Sequence, residues 1–262
     1  MWSIHRIWDE YRASVLAFGI KSLPKYVEPA GIGLTDESQF RLLGSTFLVA
    51  KDVPRSLALY ATAYHVFKSG EDERATGGGE RVGHVLVEDG RPSSPPERPP
   101  SASATFHGGF TTSHTGKAEN EKDFAVYEFA LLDDQRGRRM QPIPLSRDVR
   151  IGDPVVALGY QHVGLTEDQL DRKRDVRLFQ SVVTGHVSAI VGGLRSRQIQ
   201  FDNYGGPGHS GAPLINCRTG MAVGIVIENL EFGGHRTNLS IAVSVIELVP
   251  FMEYFPGLLV VR

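Results

Sequence analysis

Gly208-His209-Ser210-Gly211-Ala212-Pro213 is a glycine-bracketed turn between an apolar run that ends near Asp202 and another that begins at Met221. A serine nucleophile needs such a setting, because flanking glycines let backbone N–H groups approach the point where oxyanion charge develops. Taken alone, the same six residues also describe an ordinary β-turn. What separates the two readings lies elsewhere in the chain. Thr62-Ala63-Tyr64-His65-Val66 places a histidine at the end of the apolar run Leu57–Ala63, and Asp123-Phe124-Ala125-Val126 places an acid at the mouth of another. Each has a plain structural explanation of its own. Together they supply a nucleophile, a base and an orienting acid, each at the edge of an expected strand.

Chain order then discriminates between folds. His65, Asp123, Ser210 is the order of the chymotrypsin-type double barrel. An α/β-hydrolase needs Ser, then acid, then His, and a nucleophile elbow reading Gly-x-Ser-x-Gly, whereas position 212 is Ala. The strand–helix alternation of that fold is also missing. No His-Glu-x-x-His occurs, so a metalloprotease has no support.

The rest of the chain agrees with a β-rich fold. Short apolar runs punctuated by Gly, Pro, Asn or Asp recur at Ser14–Ile20, Arg41–Ala50, Leu57–Ala63, His84–Glu88, Phe124–Leu131, Asp153–Gly159, Gln180–Val191, Gln198–Asp202, Met221–Glu228 and Ser240–Val243. About ten strands and few helices predict an all-β sandwich or barrel pair. Ile4, Ile7, Trp8 and Tyr11 fall at i, i+3, i+4 and i+7 behind Ser3 as cap, which predicts an amphipathic helix over 3–13. Ile246–Tyr254 has the spacing of a short closing helix. The expected organisation is therefore an N-terminal helix (1–13), a first barrel (14–145) and a second barrel with its C-terminal helix (146–262). Two tracts interrupt the first barrel: a Gly-rich loop at 69–81, including Gly77-Gly78-Gly79, and a Pro-rich tract at 91–100 that cannot join a central strand. Thr166–Arg177 alternates acids and bases and reads as a solvated loop.

Composition excludes several functions. Among 262 residues, Lys+Arg 28 against Asp+Glu 30 leave a net charge of −2, so no global field recruits nucleic acid or an anionic membrane. Cys217 is the single cysteine, which rules out an intramolecular disulfide and a multi-cysteine zinc site and fits a reducing compartment. Its flanks carry no histidine context for a thiol nucleophile. No apolar stretch reaches a membrane span, and the N-terminus has acids where a signal peptide needs its apolar run. A cytoplasmic protein without cofactor or metal is expected. His107, His114 and His162 show no metal-site spacing.

Several blocks, in order, resemble the trypsin-like serine peptidases and, within them, the bacterial HtrA-like protease domain. Gly44-Ser45-Thr46-Phe47-Leu48-Val49 resembles the strand before the histidine, Thr62–Val66 the histidine box, and His84–Arg91 the hairpin strand that follows. Asp123-Phe124-Ala125-Val126 resembles the family's Asp-Leu-Ala-Val block, Ile151-Gly152-Asp153-Pro154-Val155 the start of its interdomain strand, and Thr184-Gly185-His186-Val187-Ser188 its Thr-x-Gly-x-Val-Ser strand. Gly208–Leu214 is similar to the nucleophile box and Ile241-Ala242-Val243 to the short closing strand. The chain departs from the pattern at Tyr64, Thr46 and Ala212, each larger than the usual residue. His209 stands where digestive relatives carry an aspartate that pairs with a newly cut amino terminus, so activation by clipping is not expected. No PDZ-like domain follows before Arg262, and PDZ-gated regulation is not carried over.

The resemblance implies a chymotrypsin-like double six-stranded β-barrel and a serine endopeptidase: Ser210 attacks, His65 is general base and acid, Asp123 orients the imidazole, and the N–H groups of Gly208 and Ser210 form the oxyanion hole. It also implies a primary pocket walled by Tyr204, Gly205 and Pro207 on one side and Ile227, Glu228 and Asn229 on the other. Tyr204 stands where cleavage after Arg or Lys needs an aspartate. Small or aliphatic residues are therefore the expected preference. Two alternatives stay open: a catalytically silent protease fold used as a binding module, and an interaction protein. A protein or peptide is the expected partner, with a regulatory partner conceivable at the N-terminal helix or the 69–100 insert.

Overall fold

The computed structural model describes residues 1–22, 39–52, 57–68, 82–87, 123–130, 140–161, 179–192, 197–203, 206, 208–232 and 235–248. Helix α1 spans Ile4–Tyr11, and the Ser3 hydroxyl accepts the Arg6 N–H at 3.2 Å, as the cap position requires. A 3₁₀ turn, Arg12–Ser14, leads into the first strand. Part of the apolar side of α1 is buried in the protein itself: Ile7 and Tyr11 are covered, the Trp2 ring stacks on Tyr11 with centroids 6.0 Å apart, and Ile4 stays exposed. The Trp2 N–H donates to the Cys217 carbonyl at 2.7 Å. This helix is packed on the body of the molecule.

Strands β1 (Val15–Ser22), β2 (Gln39–Asp52), β3 (Leu57–Thr62), β4 (Val82–Val87) and β5 (Ala125–Ala130) form an antiparallel sheet in the order β4-β1-β2-β3-β5. Five described strands thus stand where six were expected. A connector from Met140 crosses to the second half: the Ile143 N–H donates to Leu48 O at 2.9 Å, and Leu145 bridges to Ala222. The second half is a closed barrel of β6 (Pro154–Gln161), β7 (Phe179–Gly192), β8 (Arg197–Asp202), β9 (Pro213–Asn216), β10 (Met221–Phe232) and β11 (His235–Ser244), ordered β10-β11-β8-β7-β6-β9.

Strand β9 was not legible as a strand. It is four residues long, opens on a proline and is buried throughout, so it lacks both length and alternation. It therefore follows the Ser210 turn directly, rather than the run at Met221. Of the expected closing helix, a 3₁₀ turn, Val245–Glu247, is described; the remainder of Ile246–Tyr254 lies outside the described residues. So do 69–81, 91–100 and Thr166–Arg177.

Strand β6 shows where the core sits. Val155 and Ala157 point into the barrel among Val183, Val187, Ile199, Phe201 and Leu214, while Val156, Leu158 and Tyr160 join the cluster shared with the first sheet, beside Phe18, Phe47 and Leu48. Both faces are buried, which is why this run reads as continuously apolar. Burial of this kind is worth about 25 cal/mol per Å² of apolar surface. The shared cluster is what holds the two halves together. At the foot of β6 the buried Asp153 carboxylate accepts from Arg218 Nε at 2.8 Å, Asn216 Nδ2 at 2.9 Å and the Arg150 N–H at 2.9 Å. That carboxylate has a structural role.

Candidate active site

The seam between the two halves brings the three chemically suggestive residues' elements together. His65 lies just past β3, on a helical turn over 64–68 rather than in the strand itself. Asp123 lies two residues before β5, the neighbour of β3 in the sheet, with Thr62 opposite Ala125. The pairing register therefore sets acid and histidine side by side. Asp123 Oδ2 sits 2.5 Å from His65 Nδ1, and its Oδ1 accepts the His65 backbone N–H at 2.8 Å. The same carboxylate thus holds both the ring and the main chain of the histidine. About half of the His65 side chain is solvent-accessible, at 48%, so substrate can reach it.

Ser210 comes from the other half. Its turn is pinned against β2, where the Ser45 N–H donates to Ser210 O at 2.7 Å and Ser45 Oγ donates to Gly208 O at 2.7 Å. Ser45 Oγ also accepts the Tyr160 N–H at 2.8 Å, so one hydroxyl ties β2, β6 and the turn. Two glycines make the approach possible. A Cβ at Gly44 would lie 2.5 Å from Ser210 O; at Gly211, where φ is +89°, it would lie 2.0 Å from Ser45 O. No side chain fits at either place.

Gly208 also has a positive φ, 101°. Among the described residues, neither its N–H nor that of Ser210 has a hydrogen-bond acceptor within the chain. The Ser210 hydroxyl donates to the Ile227 carbonyl at 3.1 Å. That carbonyl is available because β10 bulges there: Val226 pairs with Ala242 and Glu228 with Ile241, leaving Ile227 without a partner in the ladder.

His209, next to the nucleophile candidate, is 1% exposed. Burial pushes its pKa down to about 4, with the Gly206 carbonyl opposing the shift. Cys217 is likewise buried, and burial raises its thiol pKa, which makes it a poor nucleophile. Of the expected pocket residues, Ile227 is buried at the bulge, and Glu228 and Asn229 continue β10 opposite Ile241 and Ser240. Tyr204, Gly205 and Pro207 lie outside the described residues. Sequence reasoning missed Ser45 and the Ile227 carbonyl. The only trace of Ser45 was its place after Gly44, and a main-chain acceptor leaves no mark in side-chain chemistry.

This arrangement belongs to a recognised class. The Trypsin-like peptidase domain family model matches residues 44–225, most of the chain and all three elements of the seam. The chain belongs to that family of serine endopeptidases. Its fold, the chymotrypsin-like one, is shared with the HtrA-type protease AlgW with decapeptide, at TM-score 0.54 and 18% identity over 97% of this chain and 68% of that one. It is also similar to the Rv3671c protease from M. tuberculosis in its active form, at TM-score 0.53 and 14% identity over 98% of this chain and 86% of that one. No curated protein matches the sequence.

Proposed function

We propose that this chain hydrolyses peptide bonds by acyl transfer through a His65/Asp123/Ser210 triad. The observation that carries the reading is the paired grip of the Asp123 carboxylate on His65, at Nδ1 and at the backbone N–H. A carboxylate only accepts, so Nδ1 carries the hydrogen and Nε2 is the basic nitrogen. Ser210 Oγ then attacks the substrate carbonyl as its proton passes to His65 Nε2. Negative charge on the former carbonyl oxygen is met by the N–H groups of Gly208 and Ser210, which are supported in this role by having no acceptor within the described chain. Collapse expels the amine, which takes the proton from His65, and water releases the acyl group by the same steps.

An extended peptide lying along β10 would bring its own N–H to the Ile227 carbonyl and compete for the bond that Ser210 now makes. Binding would thus free the hydroxyl to turn toward His65. The pocket expectation remains small or aliphatic, resting on Tyr204 and Ile227. Residence in a reducing, cytoplasmic setting rests on the lone cysteine.

The deciding experiment is labelling with a fluorophosphonate probe alongside hydrolysis of a peptide library. Wild type takes the label at Ser210 and cleaves, and Ser210→Ala does neither. An unlabelled wild type would favour the silent binding module. A library profile dominated by Arg or Lys would overturn the pocket reading.

A further inference from the structure

His209 is the buried imidazole among the described residues, and the proposed chemistry gives it no part. Its surroundings are specific. The ring Nδ1 lies 3.3 Å from the Gly206 carbonyl, the same oxygen that accepts the His209 backbone N–H at 3.2 Å. The ring Nε2 lies 3.2 Å from Ser181 Oγ, whose other neighbour is the Gly159 carbonyl at 3.3 Å. Gly159 and Ser181 are direct cross-strand partners of β6 and β7. A Cβ at Gly159 would stand 2.8 Å from the ring's Cδ2, so the imidazole lies close against the strand backbone where only glycine leaves room.

A carbonyl only accepts, so in the neutral ring Nδ1 carries the hydrogen and Nε2 is an acceptor; the Ser181 hydroxyl shares its one hydrogen between Nε2 and the Gly159 carbonyl. The ring therefore links Gly206 to the barrel wall. We propose that His209 is a positioning residue for the nucleophile: by bridging the Gly206 carbonyl and the Ser181 hydroxyl, it fixes the turn over 208–211 against β6 and β7 and aims the N–H groups of Gly208 and Ser210. This rests on the reading of Ser210 as nucleophile. Ser45 clamps the same turn from the first sheet, through Gly208 O and Ser210 O, so the turn is held from both halves.

The neutral ring is what this role needs. Its contacts are Gly159 on β6, Ser181 on β7 and Gly206, none ionisable, and no charged group among the described residues offsets the burial that lowers its pKa to about 4. It stays uncharged at neutral pH.

The test compares His209→Leu, His209→Asn and Ser181→Ala with wild type, reading kcat, KM, the rate of fluorophosphonate labelling and the near-ultraviolet circular dichroism. His209→Leu loses both bonds, so kcat and labelling rate fall roughly 10²-fold with KM within about threefold, the magnitude of a misplaced oxyanion donor. His209→Asn presents an amide where Nδ1 stood and recovers activity to within about tenfold of wild type. Ser181→Ala, which leaves the turn's own sequence untouched, lowers kcat by about threefold or more. A folded His209→Leu protein with wild-type kcat overturns the proposal. Should that variant fail to fold, an unchanged kcat in Ser181→Ala overturns it instead. Wild type that takes no label at Ser210 removes the parent reading and this one with it; wild type labelled at Ser210 and matched by His209→Leu removes this one alone.

Discussion

At the scale of single residues, the Asp123 carboxylate makes the most discriminating prediction. In Asp123→Asn the amide can still accept the His65 backbone N–H, so the local fold is kept, but its N–H₂ now faces Nδ1 and favours the wrong tautomer. Peptide hydrolysis should fall about 10⁴-fold at neutral pH with little change in unfolding temperature. Gly211→Ala behaves differently, because a positive φ of 89° combines with a Cβ 2.0 Å from the Ser45 carbonyl. A loss of at least about 2 kcal/mol in urea unfolding is expected, together with activity. His209 gives a pH signature. The folded chain binds its proton only near pH 4, whereas the unfolded chain binds it near 6.5, so the unfolded state holds more protons between those values. The contribution, about 3 kcal/mol, is fully present above pH 6.5 and is lost as pH falls toward 4. Urea unfolding of wild type and His209→Asn across that range should show their difference shrinking with acidity.

Elements decide what the residues cannot. The expected amphipathic helix is there, capped by Ser3, and Ile7 and Tyr11 on its apolar side join the core cluster that also holds Cys217. Ser3→Ala should cost about 1 kcal/mol, read as a lower thermal midpoint, since the cap bond is the helix's N-terminal anchor. The strands of the first half were visible in the sequence because their runs have ordinary length and end in turn residues. Strand β9 was not, for a four-residue buried segment opening on proline carries no periodicity. The bulge at Ile227 was equally hidden: nothing in Val226-Ile227-Glu228 announces that one residue skips the ladder, and the register becomes visible only when β11 is set beside β10. That bulge positions the acceptor which now holds Ser210.

At the scale of the molecule, the candidate site is a property of the seam. His65 and Asp123 stand just outside strands of the sheet, Ser210 on a turn leading into the barrel, and one core cluster runs from Phe18 and Phe47 through Leu158 to Ile215 and Ile225. Halves that share a core should unfold together. Near- and far-ultraviolet circular dichroism are therefore expected to report a single coincident urea transition, and two separated transitions would contradict the shared core. By itself, the sequence determined the β-rich fold, the order of the three residues and the family they resemble, because short apolar runs and glycine-bracketed turns are local signals. Tertiary structure alone decided that Asp123 grips His65 at two points, that Ser210 rests on the Ile227 carbonyl, that Ser45 ties three elements with one hydroxyl, and that His209 is a neutral buried strut. Each depends on strand register or on close approach between segments far apart in the chain, and such distances are written in packing, not in any local run of residues.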